Sequence, residues 1–311
     1  MAEAVAIVAG ELPDLPHIPE LPALGAGADM VGRTAALLAG VSTDLAVDTT
    51  AAGWRFAGGA TRPVRRAVSM LGEVLDRCEE VFGTSQGAFK VQVCGPWTLA
   101  AVIEAPRGGP ALKDSGLVAE IAAALSVAAA AHLRDVRRRL PRRSIVIQFD
   151  EPALPAVLDG RIQTASGFGT LPGVGPAEAA QLLRVVREAA DAPAALHCCG
   201  DFPFDVARSA GFDGVSWELG LTPEPVDPVA EAFEAGVRLL IGAVPALGPY
   251  GAEEAWRRVW QMWRRTGLAE QGLADVVFSP ACGLAGTSPT GAKQALSACS
   301  ALAARAAGGI P

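Results

Sequence analysis

The sequence predicts an α/β fold of the (β/α)8 barrel type, and three observations carry that expectation. From residue 88 onward, strand-like apolar runs alternate with helical runs six times, which implies parallel strands joined by crossover helices. The length of 311 residues suits one large barrel domain spanning 1–311. No G-x-G-x-x-G follows a strand, so a doubly wound dinucleotide-binding sheet ranks second.

In chain order, Ala2 to Gly10 is helical in composition and stops at a glycine. Residues 12–23 (LPDLPHIPELPA) carry too many prolines for a helix and suit an extended or edge segment. Residues 29–39 look helical, and 44–57 alternate as a strand or hairpin ending in Trp54 and Phe56. A helix over 62–82 places Val64, Val68, Leu71, Leu75, Cys78 and Val81 on one side. Strands follow at 89–94, 144–149, 194–198, 213–217, 238–243 and 275–278. Helices are expected at 115–140, 176–190, 202–210, 227–236, 251–265 and 288–307. The six clear units, with two less clear ones at the front, make up the eight of a TIM barrel.

Half the residues are hydrophobic and only 19% charged, enough material for a sizeable core. The formal net charge of −7 excludes a general affinity for nucleic acid or an anionic membrane. The basic run Arg134 to Arg143 reads as the solvated end of a helix. There is no secretory apolar segment, and the Ala-rich stretch 116–132, interrupted by Glu120, reads as a buried helix. A reducing, cytoplasmic setting is therefore expected, with the six cysteines free or metal-bound.

Chemistry gathers where the strands end, the place where barrels of this type build their sites. On strand 194–198 side chains alternate, so His197 and Cys199 share a face and Cys198 points into the core. Glu218 ends strand 213–217, and Cys282 follows strand 275–278. An imidazole, two thiols and a carboxylate at one rim form a plausible zinc set of His197, Cys199, Glu218 and Cys282. The plainer alternatives are a helix-capping Glu218 and a buried, inert Cys282. Asp150 and Glu151 end strand 144–149. They suit a substrate ammonium, or only the acidic start of a helix.

Five stretches together resemble the catalytic domain of the cobalamin-independent methionine synthase family. They are Gly95-Pro96-Trp97-Thr98, Ile147-Gln148-Phe149-Asp150-Glu151-Pro152-Ala153, His197-Cys198-Cys199, Trp217-Glu218 and Pro280-Ala281-Cys282-Gly283-Leu284, in the family's order and covering most of the chain after residue 90. The resemblance is to a short, single-barrel member. It implies a Zn2+-dependent methyltransferase that methylates the thiol of homocysteine to give methionine. It also implies zinc ligation by His197, Cys199, Glu218 and Cys282, with Asp150 on the substrate amino group. Three departures accompany it. The family's first barrel strand is missing, because Met1 falls in the helix that should follow it. The family's D-x-H is replaced by Gly242-Ala243-Val244-Pro245-Ala246-Leu247, which leaves no acid for a tetrahydrofolate leaving group. Methylcobalamin on a corrinoid partner protein thus stands beside methyltetrahydrofolate as donor. A second acidic residue for the ammonium has no clean match, and Glu20 is its nearest substitute. The alternatives are a cobamide methyltransferase or uroporphyrinogen-decarboxylase relative, and a non-catalytic zinc or thiol-binding protein.

Overall fold

The computed structural model describes residues 1–51, 53–59, 61–221 and 226–308. The chain opens with α1 (Ala2–Glu11), α2 (Met30–Ala39), the hairpin strands β1 (Val47–Thr50) and β2 (Gly53–Phe56), and α3 (Arg62–Phe82). The repeating part starts with β3 (Gly87–Cys94), α4 (Pro96–Val102), α5 (Ser115–Arg139), β4 (Arg143–Asp150), α6 (Leu154–Leu158) and α7 (Pro176–Ala189). It continues with β5 (Ala194–Cys198), α8 (Phe204–Ala210), β6 (Gly214–Glu218), α9 (Val226–Glu234), β7 (Arg238–Val244), α10 (Ala252–Thr266), β8 (Val277–Pro280) and α11 (Pro289–Ala307).

Strands β3 to β8 form one parallel sheet in sequence order, each pairing with the next. Sequential order with intervening helices is the winding of a barrel rather than of a doubly wound sheet. Among the described residues the parallel sheet has six strands, not eight. The 44–57 stretch folds as an antiparallel hairpin, Val47 opposite Phe56, and stays out of this sheet. The proline-rich stretch does lie along the sheet edge as expected. Lys90 N–H donates to Pro16 O (2.8 Å) and Ile18 N–H to Lys90 O (3.2 Å). Prolines on either side of His17 lack the donors to lengthen this ladder. No strand precedes α1 among the described residues, and α1 packs on both α3 and α11.

Two helix expectations are corrected. Helix α1 runs through Gly10 to Glu11, because a glycine in open space weakens a helix without ending it. In α3 the buried stripe is Val64, Ala67, Leu71, Val74, Leu75, Cys78 and Phe82, whereas Val68 and Val81 are 51% and 44% exposed. At 3.6 residues per turn the buried set covers an arc of about 100°, and Val68 and Val81, though three or four residues from members of it, lie just beyond its two edges. Side-chain caps fix several helix starts: Asp29 for α2, Thr61 for α3, Asp114 for α5 and Ser288 for α11.

Helix α5 is long and apolar enough, by length and composition, to cross a membrane, and 56% of its apolar window is buried inside the protein. It packs on α2, α4, α7 and β4. Its basic end is not merely solvated. Arg139 is mostly buried and bonds Asp76 (2.7 Å) and Glu79 (2.8 Å) of α3 and Asp135 (3.1 Å) of its own helix. A single cluster of buried side chains extends from Val5 to Ala306.

Candidate functional site at the strand ends

The register of the sheet sorts its two faces. Phe89, Val91 and Val93 of β3, Ile145, Ile147 and Phe149 of β4, Leu196 of β5 and Trp217 of β6 are buried and apolar on one face. The other face carries Lys90, Gln92 and Cys94 of β3, Gln148 and Asp150 of β4, His197 of β5, and Ser216 and Glu218 of β6. Cross-strand partners fall in rows: Gln92 beside Gln148, then Cys94, Asp150, His197 and Ser216. Parallel strands buried on both faces ordinarily read as continuous apolar runs. A polar second face therefore marks a lumen built for polar chemistry.

At the upper end of this face, His197 Nε2 lies 3.2 Å from Cys199 Sγ, and Cys199 Sγ lies 3.7 Å from Cys282 Sγ. His197 Nδ1 and Ser216 Oγ are 2.9 Å apart, a hydrogen bond that fixes the ring plane. Burial and the charge of Lys90 lower the His197 pKa to about 4, so the ring is neutral at physiological pH. The Cys199 thiol is raised, first by its hydrogen bond to Cys282, and Cys282 is lowered to about 6 by the same bond. All six cysteines are free.

An imidazole and two thiols are zinc ligands by chemistry, and the two sulfurs are also suitably spaced. With Zn–S bonds of about 2.3 Å, a tetrahedral site has an S···S edge of roughly 3.8 Å, close to the 3.7 Å between Cys199 and Cys282. The Glu218 charge acts on this cluster by raising the Cys282 pKa against its hydrogen bond. Glu218 ends β6, its pKa is raised by burial, and the opposing charge acting on it is Arg258 of α10. A Cβ at Gly220 would lie 3.6 Å from Glu218 Oε1 and 2.9 Å from Arg258 Nη2. Among the described residues, no group of three or more His, Cys, Asp or Glu is arranged so that it could hold a metal ion.

The two carboxylates of the Asp150-Glu151 pair part company, because neighbours in a strand face opposite ways. Asp150 is 7% exposed and faces the lumen, its pKa raised to about 6 by burial against the opposing effect of Lys90 and Gln148. Glu151 is fully buried and faces the helices. It accepts from Trp97 N–H (2.9 Å), Thr98 N–H (2.6 Å) and Thr98 Oγ1 (2.6 Å), capping α4 rather than serving the rim. Gly95 admits that carboxylate: a Cβ there would meet Glu151 Oε1 at 2.3 Å. Glu20 joins the lumen cluster beside Arg33 (3.5 Å), its pKa raised by burial.

Sequence reasoning passed over Lys90, Gln92, Arg33 and Ser216. For the three strand residues the signal is in the alternation, since polar residues at every second place of K-V-Q-V-C and in V-S-W-E mark the lumen face; Arg33 is on α2 and carries no such signal. Gln92 donates from Nε2 to Ile18 O (2.7 Å), while its buried Oε1 has no hydrogen-bond partner.

Sheet order and site together define an α/β protein of barrel-type winding, with its polar chemistry on one face and at the strand ends. No family model matches the chain, and no curated protein matches it. Among solved structures, the chain is similar to a B12-independent methionine synthase from Shewanella sp. W3-18-1 in complex with selenomethionine. The identity is 16% and the TM-score 0.49, over 74% of this chain and 65% of that one.

Proposed function

We propose that the chain, read as one catalytic domain over 1–311, is a zinc-dependent methyltransferase acting on the thiol of homocysteine to give methionine. The observation that carries this reading is the approach of His197, Cys199 and Cys282 at the lumen end, with 3.2 Å and 3.7 Å between successive donors. The five ordered sequence stretches that resemble the methionine synthase family support the substrate.

In this reading His197, Cys199 and Cys282 hold the metal, with Glu218 as the fourth ligand. Bound zinc would supply the positive charge that keeps a substrate thiol, with a pKa of about 8.5 when free, deprotonated near neutral pH. Ser216 holds the His197 ring so that Nε2 faces the sulfurs. Asp150 receives the substrate ammonium, with Glu20 beside it in the same charge cluster. The thiolate sulfur forms the new bond to the methyl carbon, and the bonding electrons leave with the donor. The stretch Gly242 to Leu247 supplies no acid to protonate a folate nitrogen. That favours methylcobalamin on a corrinoid partner, whose cobalt leaves without a proton, over methyltetrahydrofolate.

Zinc content and methionine formation test the reading together. The expected result is about one zinc per wild-type chain, lost in Cys282→Ala, and homocysteine methylation with methylcobalamin. Zinc-loaded protein that turns over neither donor would leave a non-catalytic zinc or thiol-binding protein. Wild-type protein with no zinc removes the proposal.

A further inference from the structure

Below the rim, a line of hydrogen bonds crosses from β3 to β4. Lys90 Nζ donates to Gln148 Oε1 (3.1 Å), and Gln148 Nε2 donates to Asp150 Oδ1 (2.6 Å). Gln148 is 9% exposed, so few other partners are open to it. Its amide can stand only one way round: the oxygen must face the ammonium and the nitrogen the carboxylate. The cation on β3 thus fixes the amide, and the amide fixes one oxygen of Asp150. Charged chains of this kind are stronger than their separate links.

Titratable groups face Asp150 from every element around it. Lys90 and the Cys94 thiol come from β3, Arg33 from α2, Glu20 from the extended segment, the neutral His197 ring from β5, Cys199 from just past β5, Cys282 from beyond β8, and Glu151 follows in the chain. Arg33 is already engaged, with Glu20 at 3.5 Å and Pro19 O at 3.1 Å. Lys90 is therefore the cation that answers Asp150: burial lowers its pKa, and the charges of Asp150 and Glu20 act against that to keep the ammonium.

We propose that Lys90 is a positioning residue. Acting through Gln148, it holds the Asp150 carboxylate in the orientation that receives a substrate ammonium, and so gives the site its preference for thiol amino acids over amine-free thiols. This inference rests on the proposed function and assigns the origin of its substrate selectivity. Lys90 touches no reacting atom. A lysine that only neutralised buried charge would, when removed, weaken the fold and every ligand alike.

Calorimetric titration of the full chain with L-methionine, and with its analogue lacking the amine, separates the two roles. Lys90→Met and Gln148→Met should each bind L-methionine at least about tenfold more weakly, the scale of a lost charge-assisted hydrogen bond. Both should bind the amine-free analogue as the wild type does, which also reports that they fold. Lys90→Arg, which keeps the charge, should retain most of the affinity. For homocysteine, KM should rise more than kcat falls. Unchanged L-methionine affinity in both variants, or equal losses for the two ligands, overturns the positioning role alone. Wild-type protein that binds neither ligand removes the proposed function, and this inference with it.

Discussion

Glu151 shows how far a residue's surroundings can carry it from its sequence reading. In a run reading D-E-P-A the two acids look like a pair, yet the strand turns one into the polar lumen and the other into the apolar core. Burial outweighs its bonds to Thr98 and Trp97 and raises its pKa to about 7, from the usual 4.5. The folded protein thus holds this proton more tightly than the unfolded chain does. The resulting stability is full below the unfolded value and is lost as pH rises through the folded one. Wild type should therefore lose stability relative to Glu151→Gln between pH 5 and pH 8, read by urea denaturation at each pH. A difference that stays flat across that range would count against the assignment. Glu151→Ala, which strands two backbone donors of α4, should cost about 2–3 kcal/mol. Gly95→Ala should be destabilising as well, since its new Cβ collides with the same carboxylate.

At the scale of the element, α3 tests how helical periodicity should be read. Six of its apolar residues are spaced in threes and fours as one face, but only those within the central arc are covered by α1, α2 and the hairpin, and Val68 and Val81 fall at its two margins. Leu71→Ala should cost roughly 2–4 kcal/mol and Val68→Ala less than about 0.5 kcal/mol. Thermal denaturation of the two variants checks the contrast, and comparable losses would contradict the burial assigned to them. The strands are a second case. The apolar alternation located all six parallel strands within a few residues. The last begins at Val277 rather than residue 275, because Glu270–Asp275 winds into a 3-10 turn first.

At the scale of the whole molecule, one buried cluster joins the first helix to the last, with Val5 of α1 fully buried and Val8 3% exposed. Ser300 of α11 donates to Glu11 O, tying the two ends. Removal of residues 2–11 uncovers two valines and the faces of α3 and α11 beneath them, about 2 kcal/mol for each buried side chain. The expected outcome in calorimetry is a single transition moved to lower temperature. Loss of a separate early transition, with the main one unmoved, would show that α1 is an appendage.

The sequence by itself determined the alternation of strands and helices, the edge role of the prolines around His17, and the placing of ligand-type side chains (His197, Cys199, Glu218 and Cys282) at or just past the strand ends. These follow from local rules: side-chain period, missing backbone donors and ligand chemistry. Only the tertiary structure decided that Cys199 and Cys282, 83 positions apart, face each other, and that Glu151 caps a helix while Asp150 enters the lumen. It also decided that the 44–57 hairpin stays outside the parallel sheet. The reason is physical: periodicity says which side chains share a face of one element, but which faces meet is set by packing between elements far apart in the chain.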